Sequence, residues 1–284
     1  MNNKIGIGIA GLGTVGEGFL KQLKKYKTSN KKTSNFELIN IAVKNLGKKR
    51  NIITKNLPLI KDTLSLASNP KIDIVIELIG GSSGVAYKLV KNSLMNGKSI
   101  ITANKALLAI HGNELIKIAE KNNCFISFEA AIAGGIPVVK AIRENLKFNE
   151  ITKVYGILNG TCNYILTKME TEGKDFNSVL KDAQNRGFAE LDPSFDIKGI
   201  DAAHKITLLS SLAFNVSVNF SSTYIEGIQN IEIDDFNLVR EFGYKIKLLG
   251  IAKKKGNFYE QRVHLCLIKS ESKNEKVDNE LNAV

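Results

Sequence analysis

The chain has 284 residues, 43% of them hydrophobic, enough for two cores and too apolar for a chain disordered throughout. No run approaches the ~20 consecutive apolar residues that span a bilayer, and the N-terminus lacks a signal peptide's apolar core, so the sequence reads as cytoplasmic, without a membrane partner. Its net charge of +12 comes mainly from lysines mixed with asparagine, as in 24–32, a pattern of solvated helix ends and loops that attracts phosphorylated ligands rather than nucleic acid.

Lys4 to Ala10 alternates Ile and Gly, a strand whose glycines permit close backbone approach. It runs into Gly11-Leu12-Gly13-Thr14-Val15-Gly16, then into a helical pattern with Val15, Phe19, Leu20 and Leu23 on one face. Continuous apolar strands follow at 38–43, 72–79, 99–101 and 125–128, with helices near 84–96 and 105–121 between them. Such alternation calls for an α/β fold, a Rossmann-type doubly wound parallel sheet covered on both faces. From Ile151 the pattern changes to a strand at 151–158, helices near 161–171, 176–186 and 199–213, and late strands near 244–252 and 258–268. That is a second, α+β domain. The joint is expected at the glycine and proline cluster 134–137, giving domains 1–135 and 136–284.

GxGxxG alone is a weak signal, but here it follows an N-terminal strand, opens a helix and is succeeded by further βα units. Gly11 then makes the tight turn, Gly13 admits a pyrophosphate and Gly16 lets helix and strand pack closely, with the helix N-terminus facing the phosphates. The bland alternative is a glycine-rich turn without a ligand. Dinucleotide sites specific for NAD usually place an acid after the second strand. This chain has Lys44 and Asn45 there, then Lys48, Lys49 and Arg50, a cationic group that suits the 2′-phosphate of NADP or is simply an exposed basic loop. Lys105 stands where a strand ends and a helix begins; it opposes the helix dipole, so it is either an ordinary solvent lysine or one kept for proton transfer.

The densest polar group is Glu190, Asp192, Asp196 and Asp201, four carboxylates in twelve residues, followed by Lys205 one helical turn beyond Asp201. It reads either as a pocket that holds an ammonium group and lets a lysine act on an oxygen, or as caps and surface ion pairs. Cys124, Cys162 and Cys266 form no CxxC, and His111, His204 and His264 show no metal spacing, so a disulfide framework and zinc are not expected and the histidines read as structural. No GxSxG or Walker sequence points to nucleophilic or phosphoryl-transfer chemistry.

Taken in order, Gly11 to Gly16, Glu77-Leu78-Ile79-Gly80-Gly81, Thr102-Ala103-Asn104-Lys105, Glu129 to Pro137, Asn159-Gly160-Thr161-Cys162-Asn163-Tyr164-Ile165, Glu190 to Asp196 and Gly199 to Lys205 resemble the homoserine dehydrogenases along essentially the whole chain. The resemblance implies an NAD(P)-dependent interconversion of L-aspartate 4-semialdehyde and L-homoserine in threonine and methionine biosynthesis, by a homodimer built through the second domain. It implies Lys205 as proton donor, with Lys105 a second lysine in proton transfer. It places the amino group of homoserine on Glu190, with Asp196 and Asp201 supporting. It places NADP, or NAD, on Gly11, Gly13, Thr14, Val15 and Gly16, on Ile79 and Gly80, and on Lys44 and Lys105. It also implies a monovalent cation, usually sodium, held by Glu129 and the carbonyls of Ile132, Gly134 and Ile136.

By the same resemblance there is no room for a C-terminal ACT regulatory domain, and relatives continue past 281–284 into a glycine-rich segment that closes the cofactor site. The expectation is a truncated catalytic region that folds but binds NADP loosely and turns over poorly. Two rivals remain: another Rossmann dehydrogenase acting on an amino-acid semialdehyde or a small hydroxy acid, which in the acylating case would need a nucleophilic Cys162, and a nicotinamide-binding regulatory or inactive truncated homologue without turnover.

Overall fold

The computed structural model describes residues 4–29, 35–52, 56–270 and 283–284. Residues 30–32 of the basic run and 281–282 lie outside them. The chain divides into two compact units, Met1–Ala131 and Ile132–Val284, just ahead of the glycine and proline run.

In the first unit the chain order is β1 (Ile5–Ala10), α1 (Thr14–Ser29), β2 (Phe36–Ala42), β3 (Leu59–Ile60), α2 (Ser65–Ser68), β4 (Ile74–Glu77), α3 (Val85–Met95), β5 (Ser99–Thr102), α4 (Lys105–Lys121) and β6 (Ile126–Ser127). Among the described residues these strands form one sheet in the order β3-β2-β1-β4-β5-β6, every pair parallel. The order reverses at β1, the strand after which a doubly wound sheet opens its ligand crevice. Ile7, Ile9, Leu12, Leu20, Ile41, Val43 and Ile76 form the buried core of this sheet. The glycines of β1 are where neighbours press closest: a Cβ on Gly8 would stand 2.8 Å from Ile72 Cδ1. One sequence expectation fails. Val15 does not share the buried face of α1 with Leu20 but is 57% exposed, while its neighbours Gly16 and Glu17 are the buried residues of the first turn.

The second unit contains α5 (Val138–Lys140) running into a π-helical turn (Ala141–Asn145), β7 (Lys153–Gly156), α6 (Gly160–Glu172), α7 (Phe176–Asn185), α8 (Ser194–Ile197), α9 (Ile200–Phe214), β8 (Tyr224–Ile225), α10 (Ile233–Glu241), β9 (Tyr244–Lys255) and β10 (Phe258–Lys269). Its strands build a mixed sheet in the order β7-β9-β10-β8, antiparallel except where β10 meets β8. Lys255 pairs with Phe258, so Gly256 and Asn257 form a two-residue hairpin turn, and Gly256 takes the positive φ (58°) such turns require. Helix α9 buries most of its length; Ile206 packs against Gly250 of β9, and Ser210 Oγ donates to Gln261 Oε1 of β10 at 2.5 Å. Among the described residues no helix is long and apolar enough to cross a membrane.

Candidate active site

The chemistry-bearing residues fall into one group in each unit. In the first unit, Gly11 has a φ of 100°, and a Cβ there would stand 2.7 Å from the carbonyl oxygen of Leu78. A Cβ on Gly16 would stand 2.6 Å from the carbonyl oxygen of Gly11, so packing alone demands both glycines. Gly13 differs: nothing lies within 4 Å of where its Cβ would be. The middle glycine therefore faces open space at the start of α1, where the first backbone N–H groups have no helical acceptor before Glu17 N donates to Gly13 O at 2.8 Å. This cradle fits a dinucleotide phosphate.

Lys44 is exposed just beyond β2. Its neighbour in the basic run, Arg50, is turned inward: Nη2 donates to Asn45 O at 2.8 Å, Nη1 to Lys48 O at 2.9 Å and Nε to Leu12 O at 3.4 Å. Arg50 thus ties the loop after β2 to the glycine-rich turn. Among these cations, Lys44 stands outward at the strand end.

A second loop borders the same sheet edge. Glu77, fully buried at the end of β4, accepts at Oε1 from Ile79 N (2.8 Å) and Gly80 N (3.0 Å), and at Oε2 from the Thr102 hydroxyl (2.7 Å). Thr102 Oγ1 accepts from Asn104 N at 2.9 Å, and Asn104 Nδ2 donates to Gly81 O at 2.7 Å. Asn104 also N-caps α4, its Oδ1 accepting from Leu107 N at 3.1 Å, and half-buried Lys105 is the first helical residue.

In the second unit the sequence cluster resolves into distinct parts. Asp201 and Lys205 do form an ion pair, Nζ to Oδ2 at 2.8 Å, with side chains only 7% and 14% exposed. Lys205 Nζ also donates to the carbonyl of Leu158 at 2.6 Å. Asn159, which opens one of the motifs above but has no role assigned by the sequence, organises the carboxylates: Nδ2 donates to Asp196 Oδ1 (2.7 Å) and Asp201 Oδ2 (2.9 Å), while Oδ1 caps α6 through Cys162 N at 2.7 Å. Asp192 stands apart; its Oδ1 accepts from Ser194 N, and bonds to Ser194 hold its carboxyl below the usual carboxylate range. Glu190 is exposed after α7, its backbone carbonyl fixed by Gln184 Nε2 at 3.1 Å.

Cys162 is fully buried with Sγ against the carbonyl of Asp196 at 3.2 Å; burial first, then the charges of Asp196 and Asp201, push its thiol well above the ordinary range. Such a thiol is a poor nucleophile. His204 stacks between Phe195 and Phe220, at ring separations of 5.3 and 4.4 Å, and His111 stacks on Tyr87 at 4.4 Å. Glu129 opens a 3-10 turn (Glu129–Ala131) and is half-buried; in the second unit Ile132 is buried and Gly134 takes a φ of 58°. Among the described residues no group of three His, Cys, Asp or Glu side chains could hold a metal ion.

Two family models match, one described as homoserine dehydrogenase over residues 137–284 and one as homoserine dehydrogenase, NAD binding domain, over residues 11–129. The chain belongs to the homoserine dehydrogenase family. A homoserine dehydrogenase of Neisseria gonorrhoeae is 44% identical over 281 residues, 99% of this chain and 64% of the relative. The solved homoserine dehydrogenase of Thiobacillus denitrificans superposes with a TM-score of 0.92 at 44% identity, over 98% of this chain and 65% of that one. A hyperthermophilic archaeal homoserine dehydrogenase, solved in complex with NADPH, gives 0.79 at 25% identity, over 95% of this chain and 84% of its own. The chain therefore spans a little under two thirds of the curated relatives it matches. The family's NAD-binding match lies within the first unit, and the match that holds Lys205 and its carboxylates lies within the second.

Proposed function

We propose that this chain is a homoserine dehydrogenase that interconverts L-aspartate 4-semialdehyde and L-homoserine. The observation that carries the reading is the buried Lys205–Asp201 pair, tied by Asn159 to Asp196, inside the family's own domain match. A bound nicotinamide dinucleotide supplies the hydride. The open cradle at Gly13, with Thr14 and Val15 opening α1 and Gly11 and Gly16 fixing the turn, holds its phosphates. Ile79, Gly80 and Lys105 border the same edge. Lys44, exposed where an NAD-specific site carries an acid, favours NADP over NAD.

In the second unit, Lys205 engages two of its three N–H donors with Asp201 and Leu158. The third serves the substrate oxygen, stabilising the alkoxide as charge develops and delivering the proton. Glu190, exposed and carboxylate-bearing, takes the ammonium group of the amino acid, with Asp196 and Asp201 supporting. Lys105 is the second proton-transfer lysine. Glu129, near the end of the first unit, and the carbonyls of Ile132, Gly134 and Ile136, at the start of the second, are each candidate ligands for a monovalent cation such as sodium. The working form is a cytoplasmic homodimer assembled through the second unit. The buried Cys162 disfavours an acylating semialdehyde dehydrogenase, which needs an accessible thiolate.

Steady-state kinetics test this division of roles. Lys205→Ala should lower kcat about 10²–10⁴-fold with little change in KM, the range for a lost general acid. Glu190→Gln should raise KM for homoserine while leaving KM for NADP unchanged. Loss of cofactor affinity alone in both variants would contradict the assignment.

A further inference from the structure

We propose that Glu77 is the positioning residue of the cofactor edge, a role that rests on the reading of the first unit as a nicotinamide-dinucleotide site. β4 is otherwise apolar, Ile74-Val75-Ile76, and its last position holds a carboxylate with no exposed surface. Burying that group is costly unless donors surround it, and an apolar side chain of similar size would serve packing as well. The position therefore does something that packing does not require.

Its donors show what that is. Two come from the loop after β4, Ile79 N and Gly80 N, and one from the end of β5, the Thr102 hydroxyl. The direction of the chain of bonds is fixed. Asn104 N can only donate, so Thr102 Oγ1 accepts from it and turns its own proton to Glu77. Asn104 then closes the ring by donating from Nδ2 to Gly81 O. With Ile79 and Gly80 drawn inward by their N–H groups, the loop folds back through Gly80 (φ 77°) and Gly81 (φ 84°), and Ile79 as a whole stands 42% exposed. Asn104 at the same time caps α4, whose first residue is Lys105. One buried carboxylate thus sets the positions of Ile79, Gly80 and Lys105 against each other, three residues from two separate βα loops that face one ligand.

Glutamine at position 77 keeps the shape. Its carbonyl still accepts from the loop N–H groups, but its amide nitrogen meets Thr102 and leaves the hydroxyl proton without its acceptor. Glu77→Gln and Thr102→Val cut the same link from opposite ends, whereas Thr102→Ser restores it. Quenching of NADPH fluorescence by the whole folded chain measures the outcome. The expected result is a Kd for NADPH about tenfold weaker in Glu77→Gln and in Thr102→Val, near the unsubstituted value in Thr102→Ser, with native circular dichroism in each. In turnover, KM for NADPH should rise by a similar factor while KM for the aldehyde holds. If Glu77→Gln fails to fold, the Thr102→Val and Thr102→Ser pair decides alone. Unchanged Kd in the folded Glu77→Gln and Thr102→Val, with or without a lower Tm, would overturn the positioning role. No NADPH binding by the unsubstituted chain would overturn the cofactor reading and this proposal with it.

Discussion

Asn159 performs three tasks with one amide: its oxygen caps α6, and its two N–H groups hold Asp196 and Asp201. These tasks separate by substitution. Asn159→Asp keeps an acceptor for Cys162 N but sets a third carboxylate against two others, whereas Asn159→Ala loses everything. Removing the cap costs about 0.5–2 kcal/mol, and the buried Asp201 and half-buried Asp196 each losing a donor add to that. Both variants should raise KM for homoserine; thermal unfolding should show Asn159→Ala also losing stability. Unchanged kinetics in Asn159→Asp would show that the carboxylates hold their places without the amide. Tyr164 makes a second prediction. Burial, then the bond its hydroxyl donates to Asp182 Oδ2 at 2.6 Å, pushes the phenol from 10.0 up to about 12. Because the folded value lies above the unfolded one, this stabilisation is complete below pH 10 and is lost as pH rises toward about 12. Urea midpoints measured across that window should fall more steeply for the native chain than for Tyr164→Phe. Parallel curves would mean that Tyr164 ionises freely.

Among the elements, the glycine-rich turn separates packing from binding. Gly16→Ala drives a methyl against the carbonyl oxygen of Gly11 at 2.6 Å and should cost stability and cofactor affinity together. Gly13→Ala meets nothing within 4 Å, so Tm should hold while NADPH affinity falls, because the methyl occupies the space the phosphates need. Equal affinity in Gly13→Ala would place the cofactor elsewhere. The long elements of both units were legible because periodicity and glycine punctuation agree in them, as in β1, α4, α9 and the β9–β10 hairpin. The two-residue strands β3 and β8 carry too few residues for any period. The short helix α10 was missed although Asp235 accepts from Glu232 N at its start, an acid three residues after an acid that the eye reads as surface charge. At the site, type and spacing marked Lys105, Lys205 and the carboxylates as candidates but left a bland reading open for each, and only the family resemblance gave them roles. Asn159 and Glu77 were not so marked, since their roles lie in contacts across 42 and 25 residues that no local pattern encodes.

At the scale of the whole molecule, the proposed reading gives each unit its own share of the chemistry: the open glycine-rich turn with Lys105 in the first, and the Lys205–Asp201–Asn159–Asp196 group in the second. The net charge of +12 adds a general attraction for an anionic dinucleotide, which salt screens and which cannot by itself choose a substrate. In the proposed reading, substrate choice rests on Glu190 and the Lys205–Asp201 group of the second unit. The direct test is the loss of NADPH absorbance when the purified chain is given L-aspartate 4-semialdehyde, beside aldehydes of similar length that lack the α-amino group. The account predicts saturable NADPH oxidation with the amino-acid aldehyde, far slower oxidation with the others, and at least a hundredfold loss in Lys205→Ala. Oxidation that ignores the amino group, or that survives in folded Lys205→Ala, would contradict it.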